Sequence, residues 1–317
     1  MKKIFIFFLI NIIILLFLIF LIEVIIWFQD NENLRKQGLF PSNIQRLTFH
    51  SGIKNFEFDP KTFPRPENNW GRPVVGLEYN KKPIVIFGCS FAYGFSLNNE
   101  QTFSYKLSKL AKVPVYNRAE NGWGIQHMLY QSKLDEIYKQ IPEPEYVIYV
   151  YIIDHIRRLY LIEFSSWNIL EEQQNLRYKE KNGQLIEIQN RNPILRQIKR
   201  LYFVNKIHHS YVKKFILRKG NEKNFYDFAF KHFAEAKTEM EKHWKNTKYV
   251  IFFYEYKKED KYLKDKLKDI GYILIDKPDL TNENLRSSKY FLTNNHPNEN
   301  AWDLLTPLII KKLNINE

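Results

Sequence analysis

Five short apolar runs recur along this chain from residue 82 on, and stretches with helical spacing separate them. The runs are 84–87 in "PIVIFG", 113–117 "VPVYN", 145–153 "EYVIYVYII", 249–254 in "KYVIFFYEY" and 271–276 "GYILID". Strands apolar nearly throughout are covered on both faces. Between the runs, "TFSYKLSKLAK" puts Phe103, Leu107 and Leu110 on one helical face. "IQHMLYQSKLDEIYKQ" spaces Ile125, Met128, Leu129, Leu134 and Ile137 mainly as a helix does. "FKHFAEAKTEMEKHW" aligns Phe230, Phe233, Ala236, Met240 and Trp244, "YLKDKLKDI" reads as a further helix, and a last one begins near Asn298. This alternation predicts an α/β domain: a central parallel sheet with helices on both faces. Right-handed crossovers then bring the strand C-termini, and any active site, to one edge.

Other features bound the function. With 317 residues the chain can bury one large core or two small ones, and 44% hydrophobic residues exclude a disordered chain. The net charge of +13 comes mostly from lysine, with no run of five basic residues and no nucleic-acid motif, so no nucleic-acid partner is expected. Cys89 is the only cysteine, which excludes an intrachain disulfide and a thiolate zinc cluster. No GxGxxG occurs and the first strand-to-helix loop lacks a phosphate cradle, which argues against a nucleotide binder; no cofactor or metal is expected.

Residues 4–22 are apolar apart from Asn11, "VIIWF" follows Glu23, and Trp27 and Phe28 sit like an interfacial belt. No small-residue cleavage site follows. Residues 1–28 are therefore expected to be an uncleaved transmembrane anchor, with the chain entering the membrane through 4–28. The two-lysine start favours a single-pass cell-membrane protein with an extracytoplasmic domain. Residues 29–80, with five prolines and poor periodicity, read as a linker and lead-in that packs on the domain. Residues 81–317 form the domain, interrupted at about 159–225 by an insertion whose Asn182-Gly183 predicts a hairpin.

Three sequence blocks mark a site. "GCSFAYG" (88–94) follows the first apolar run, so Ser90 is expected on a rigid turn at the sheet edge. Cys89 beside it should point back into the protein. "NRAENGWG" (117–124) follows the second run, and its glycines can turn N–H groups into a cavity where an oxyanion needs donors. His296, in "TNNHPNENAW", precedes Pro297 and Asn298, a good helix cap, which fixes it at the approach to the last helix.

Gly88-Cys89-Ser90-Phe91, Asn117 with Gly122, a strand ending at Asp154, and His296-Pro297-Asn298 together resemble the SGNH (GDSL-type) hydrolase family. The resemblance spans about residues 82–313 apart from the insertion. It implies a flavodoxin-like three-layer sandwich around five parallel strands, here preceded by one transmembrane helix, and acyl cleavage or transfer without a cofactor. It implies Ser90 as nucleophile, His296 as general base, and the N–H groups of Ser90 and Gly122 as oxyanion donors. The substrate class is then an acylated cell-envelope glycan or lipid-linked molecule; protein partners are not specified. Three positions depart from the pattern. Cys89 replaces the usual Asp beside the nucleophile. The Asn that supplies a third oxyanion donor falls at or next to Ile153; Asp154-His155 and Arg157-Arg158 follow as candidate substitutes, with Asp154 the possible auxiliary. The triad acid falls at Asn294 or Thr293, neither of which carries charge. These losses leave three readings: a slow Ser–His dyad enzyme, an enzyme whose acid is recruited from elsewhere in the chain, or a non-catalytic glycan-binding or scaffold protein on the same fold.

Overall fold

The computed structural model describes residues 72–160, 178–187, 222–255 and 260–315, together with the isolated helical positions Asn11, Ile14, Phe17 and Leu18. The expected anchor otherwise lies outside the described residues, as does most of the expected insertion. Among the described residues no helix is long and apolar enough to cross a membrane. The chain divides into two compact units. One takes in Met1–Glu57 and Asn190–Lys219, of which only those four positions are described. The other, Phe58–Gln189 with Gly220–Glu317, carries everything below.

In chain order the second unit runs β1 (Ile84–Gly88), α1 (Ser90–Tyr93), α2 (Phe103–Ala111), β2 (Val115–Asn117), α3 (Ile125–Ser132), α4 (Asp135–Gln140), β3 (Tyr146–Tyr151) and α5 (Asp154–Tyr160). Next come β4 (Tyr178–Lys181) and β5 (Gln184–Glu187), then α6 (Glu222–Glu241), β6 (Lys248–Phe253), α7 (Lys261–Asp269), β7 (Ile273–Asp276), α8 (Lys277–Leu280) and α9 (Glu299–Leu313). All five expected sheet strands form, and every pairing among them is parallel. Their order is β2-β1-β3-β6-β7. This is the flavodoxin-like doubly wound order, whose reversal between β1 and β3 opens a crevice at the strand C-termini.

Alternate side chains of each strand face opposite layers. Ile84, Ile86, Ile148, Val150, Val250 and Phe252 join one buried cluster with Phe103 and Leu107 of α2 and Trp302, Leu305 and Ile309 of α9. Phe103 stacks on Trp302 with ring centroids 5.0 Å apart. On the other face Tyr149 meets Phe233 of α6 edge-on, at 5.1 Å. Helix α6 buries Phe225, Ala229, Phe233, Ala236 and Met240, the spacing that keeps one helical face on a sheet. Burying aromatic side chains of this size contributes roughly 1.5–3 kcal/mol each, which makes the two layers the main source of stability.

Residues 72–80 of the lead-in pack on the domain: Val75 bridges antiparallel to Val115, and Arg72 is buried. The structure corrects two sequence readings. The long helix expected over 125–140 is two helices, because the Lys133 and Leu134 N–H groups bond three residues back, to the Tyr130 and Gln131 carbonyls. Trp244 is buried but lies beyond the end of α6. The Asn182-Gly183 hairpin forms as expected, with both residues at positive φ, the pattern of a type I′ turn.

Candidate active site

Ser90 is the first residue of α1, immediately beyond β1 at the reversal in strand order. β1 can approach so closely because residue 88 has no Cβ: one there would meet the Ala92 Cβ at 2.9 Å and the Val150 carbonyl oxygen at 3.1 Å. Cys89 is fully buried and burial pushes its thiol pKa up, so it is an inert neighbour, as expected from its place in the turn. Ser90 is nearly buried, at 8% exposure. Asn117, at the end of β2, ties this region together: its amide donates to the Ala92 carbonyl at 2.8 Å and to Ser104 Oγ at 3.1 Å.

His296 comes from 206 residues away and places Nε2 2.8 Å from Ser90 Oγ. Its backbone is held by a tight loop. The Leu292 N–H donates to the His296 carbonyl at 2.8 Å, Pro297 bridges to Phe291, and Asn298 caps α9 by accepting from the Ala301 N–H. The ring packs against Phe91 and Phe95, with centroids 5.5 and 4.9 Å away. Nδ1 lies 2.9 Å from the Asn294 carbonyl oxygen and 3.2 Å from Asn294 Oδ1. A carbonyl oxygen only accepts, so Nδ1 carries the proton and the Nε2 lone pair faces the Ser90 hydroxyl. This is the tautomer that a general base needs. Burial pushes the His296 pKa below its ordinary 6.5; the Asn294 carbonyl opposes the shift and the positive charge of Arg158 adds to it.

Asn294 is fixed in turn, because its Nδ2 donates to Ser96 Oγ at 2.9 Å. That bond leaves Oδ1 toward the imidazole. Ser96 sits at φ +64°, in the left-handed region. The loop that carries it is braced by Arg72, whose guanidinium donates to the carbonyls of Tyr93 at 2.9 Å, Gly94 at 2.6 Å and Leu97 at 3.0 Å. Sequence reasoning missed Arg72, Phe95 and Ser96. Arg72 lies in a proline-rich stretch with no periodicity, and no spacing in the sequence brings Ser96 next to Asn294.

Gly122 lies in the β2–α3 loop at φ +77°. The Trp123 N–H closes a turn on the Glu120 carbonyl at 3.2 Å, and a glycine at its third position gives type II geometry. Neither the Gly122 N–H nor the Ser90 N–H has an acceptor among the described residues. The loop is pinned just after Gly122: Trp123 stacks on His127 at 5.1 Å, and the Gly124 N–H donates to His127 Nδ1 at 3.0 Å. Asp154 opens α5 and pairs with Arg158 at 2.9 Å. It is not a partner of His296, whose Nδ1 is occupied by Asn294. Among the described residues no group of three or more His, Cys, Asp or Glu side chains is placed to hold a metal ion.

No family model matches the chain, and no curated protein does. Solved structures do. A lipolytic protein of the G-D-S-L family from Veillonella parvula is 11% identical, with a TM-score of 0.40 over 72% of this chain and 96% of that one. A second, from Desulfitobacterium hafniense, is 11% identical with a TM-score of 0.39, over 73% and 99%. An acetyl xylan esterase from Butyrivibrio proteoclasticus is 9% identical with a TM-score of 0.41, over 75% and 65%. At such identities and scores these likenesses carry no weight for the chemistry, which rests on the site itself.

Proposed function

We propose that this protein is an SGNH-type serine esterase or O-acyltransferase working through a Ser90–His296 dyad. The observation that carries the reading is the Nε2–Oγ distance of 2.8 Å with Nδ1–H held on Asn294. Within it, Ser90 Oγ attacks the ester carbonyl carbon as His296 Nε2 takes its proton. The tetrahedral oxyanion is met by the N–H groups of Ser90 and Gly122, neither of which has another acceptor among the described residues. The imidazolium then protonates the leaving alcohol. The acyl group, now on Ser90, passes to water or to a sugar hydroxyl after His296 removes the acceptor's proton. Hydrolysis and transfer differ only in that last acceptor.

The finer parts of the reading rest on sequence. The apolar run at 4–22 supports a single-pass anchor at the cell membrane, and a tethered domain suits a tethered substrate. We accordingly propose an acylated cell-envelope glycan or lipid-linked substrate and an extracytoplasmic domain. The test is hydrolysis of p-nitrophenyl acetate by the purified chain. Turnover by the wild type and its loss in Ser90→Ala supports the dyad. Wild-type and Ser90→Ala protein equally inert would refute it and leave the glycan-binding reading, which the uncharged Asn294 favours.

A further inference from the structure

The third oxyanion donor expected near Ile153 is missing, since an isoleucine side chain has no N–H. One turn further along α5 stands a nearly buried cation. The Arg158 side chain is only 11% exposed. Its Nε donates to Asp154 Oδ2 at 2.9 Å, and its Nη1 donates to the Trp123 carbonyl at 2.6 Å. A Cβ added at Gly124 would come within 3.5 Å of the Arg158 Cβ, and Gln126 Nε2 donates to the Arg158 carbonyl at 3.4 Å. Helix α5 is thus bonded to the residue that follows Gly122. We propose that Arg158 is the positioning residue that replaces the missing donor: it pins the Gly122 loop through the Trp123 carbonyl and holds fixed positive charge beside the developing oxyanion. The inference rests on the acyl-transfer reading above.

The charge comes without reorganisation, because Asp154 and Trp123 orient the guanidinium before any substrate arrives. A short N–H···O bond from a charged donor is among the stronger hydrogen bonds. The field reaches the base as well, since Arg158 lowers the His296 pKa. The groups that face Arg158 are consistent with this. Tyr149 on β3 and the Cys89 thiol are held neutral by burial, and burial also holds His155 on α5 neutral. Asp154 is an acidic partner of Arg158, and Glu255 beyond β6 pairs with Arg286. The positive charge of Arg158 acts on a neutral imidazole.

The experiment compares the full chain with Arg158→Met and Arg158→Lys. It measures p-nitrophenyl acetate kinetics against pH and the His296 titration by NMR on histidine-labelled protein. Arg158→Met should lower kcat about 100-fold, as loss of one oxyanion donor does, with KM within about twofold. The acid limb and the His296 pKa should both move up toward 6.5. Arg158→Lys should keep the His296 pKa near the wild-type value but recover kcat only in part, since an ammonium lacks the fork that spans Asp154 and Trp123. An unchanged kcat in Arg158→Met, or a His296 pKa that stays where it was, overturns the proposal. A wild type that titrates as described yet never turns over ester refutes the acyl-transfer reading instead, and the positioning claim falls with it.

Discussion

His296 donates its Nδ1 proton to the carbonyl of Asn294, two residues before it in the same loop, at 2.9 Å. A histidine oriented by its own backbone has the right tautomer but no counter-charge for the imidazolium that forms when Ser90 gives up its proton. The Asn294 side chain adds a second acceptor at 3.2 Å and no charge.

Asn294→Asp should therefore act as a gain of function. A carboxylate at this place raises the His296 pKa, and each unit of rise is about 1.4 kcal/mol of added interaction with the imidazolium. If that is fully expressed in the transition state, the plateau kcat rises about tenfold per unit while the acid limb moves to higher pH. Steady-state kinetics from pH 5 to 9 read both effects. A variant slower than wild type at every pH would mean that the amide's bond to Ser96 matters more than the missing charge.

For the wild type the sign runs the other way. Burial and Arg158 lower the His296 pKa, so the neutral base persists below 6.5 and is lost only as pH falls further. The acid limb of kcat/KM should have its midpoint below 6.5, and a midpoint at 7 or above would contradict the assigned surroundings of the ring.

Acid should also weaken the fold. His155 and His232 are fully buried and held neutral, His155 well below its ordinary pKa and His232 down to about 4, in each case first through burial. The unfolded chain takes up those protons below 6.5 and the folded chain does not, so stability falls as pH drops from 6.5 toward 4. The slope is at most about 1.4 kcal/mol per pH unit for each histidine. Denaturant melts across that range check it. His232→Gln should flatten the curve, and a curve of unchanged slope would show that His232 is protonated in the fold.

Trp302 tests the packing that supports the site. It is fully buried on α9, stacked on Phe103, and part of the layer behind the His296 loop. Trp302→Ala should cost about 3–5 kcal/mol, the usual range for losing a buried aromatic. A loss under about 1 kcal/mol, measured by chemical denaturation, would place the core elsewhere.

Much of this architecture was legible in the sequence because its signals are local. Apolar runs such as 145–153 mark doubly covered strands, Asn182-Gly183 marks a hairpin, and Pro297-Asn298 marks the start of α9. The Ser90 and His296 blocks were legible because each sits at a strand end or helix start. The supporting residues were not. Arg72 and Ser96 act through carbonyls and amides brought together by the fold; Arg158 stands out beside the missing donor, but no spacing records that it meets Trp123, 35 residues earlier. The break between α3 and α4 was hidden for a related reason: apolar positions continue across Lys133, while the backbone changes its hydrogen-bonding step there.

The most direct test of the Ser90–His296 dyad is covalent labelling with a fluorophosphonate, followed by peptide mapping. A single adduct on Ser90 is expected in the wild type, with no adduct in Ser90→Ala and labelling slowed about 10³-fold or more in His296→Ala. An unlabelled wild type, an adduct on Cys89 or another residue, or full-rate labelling without His296 would contradict it.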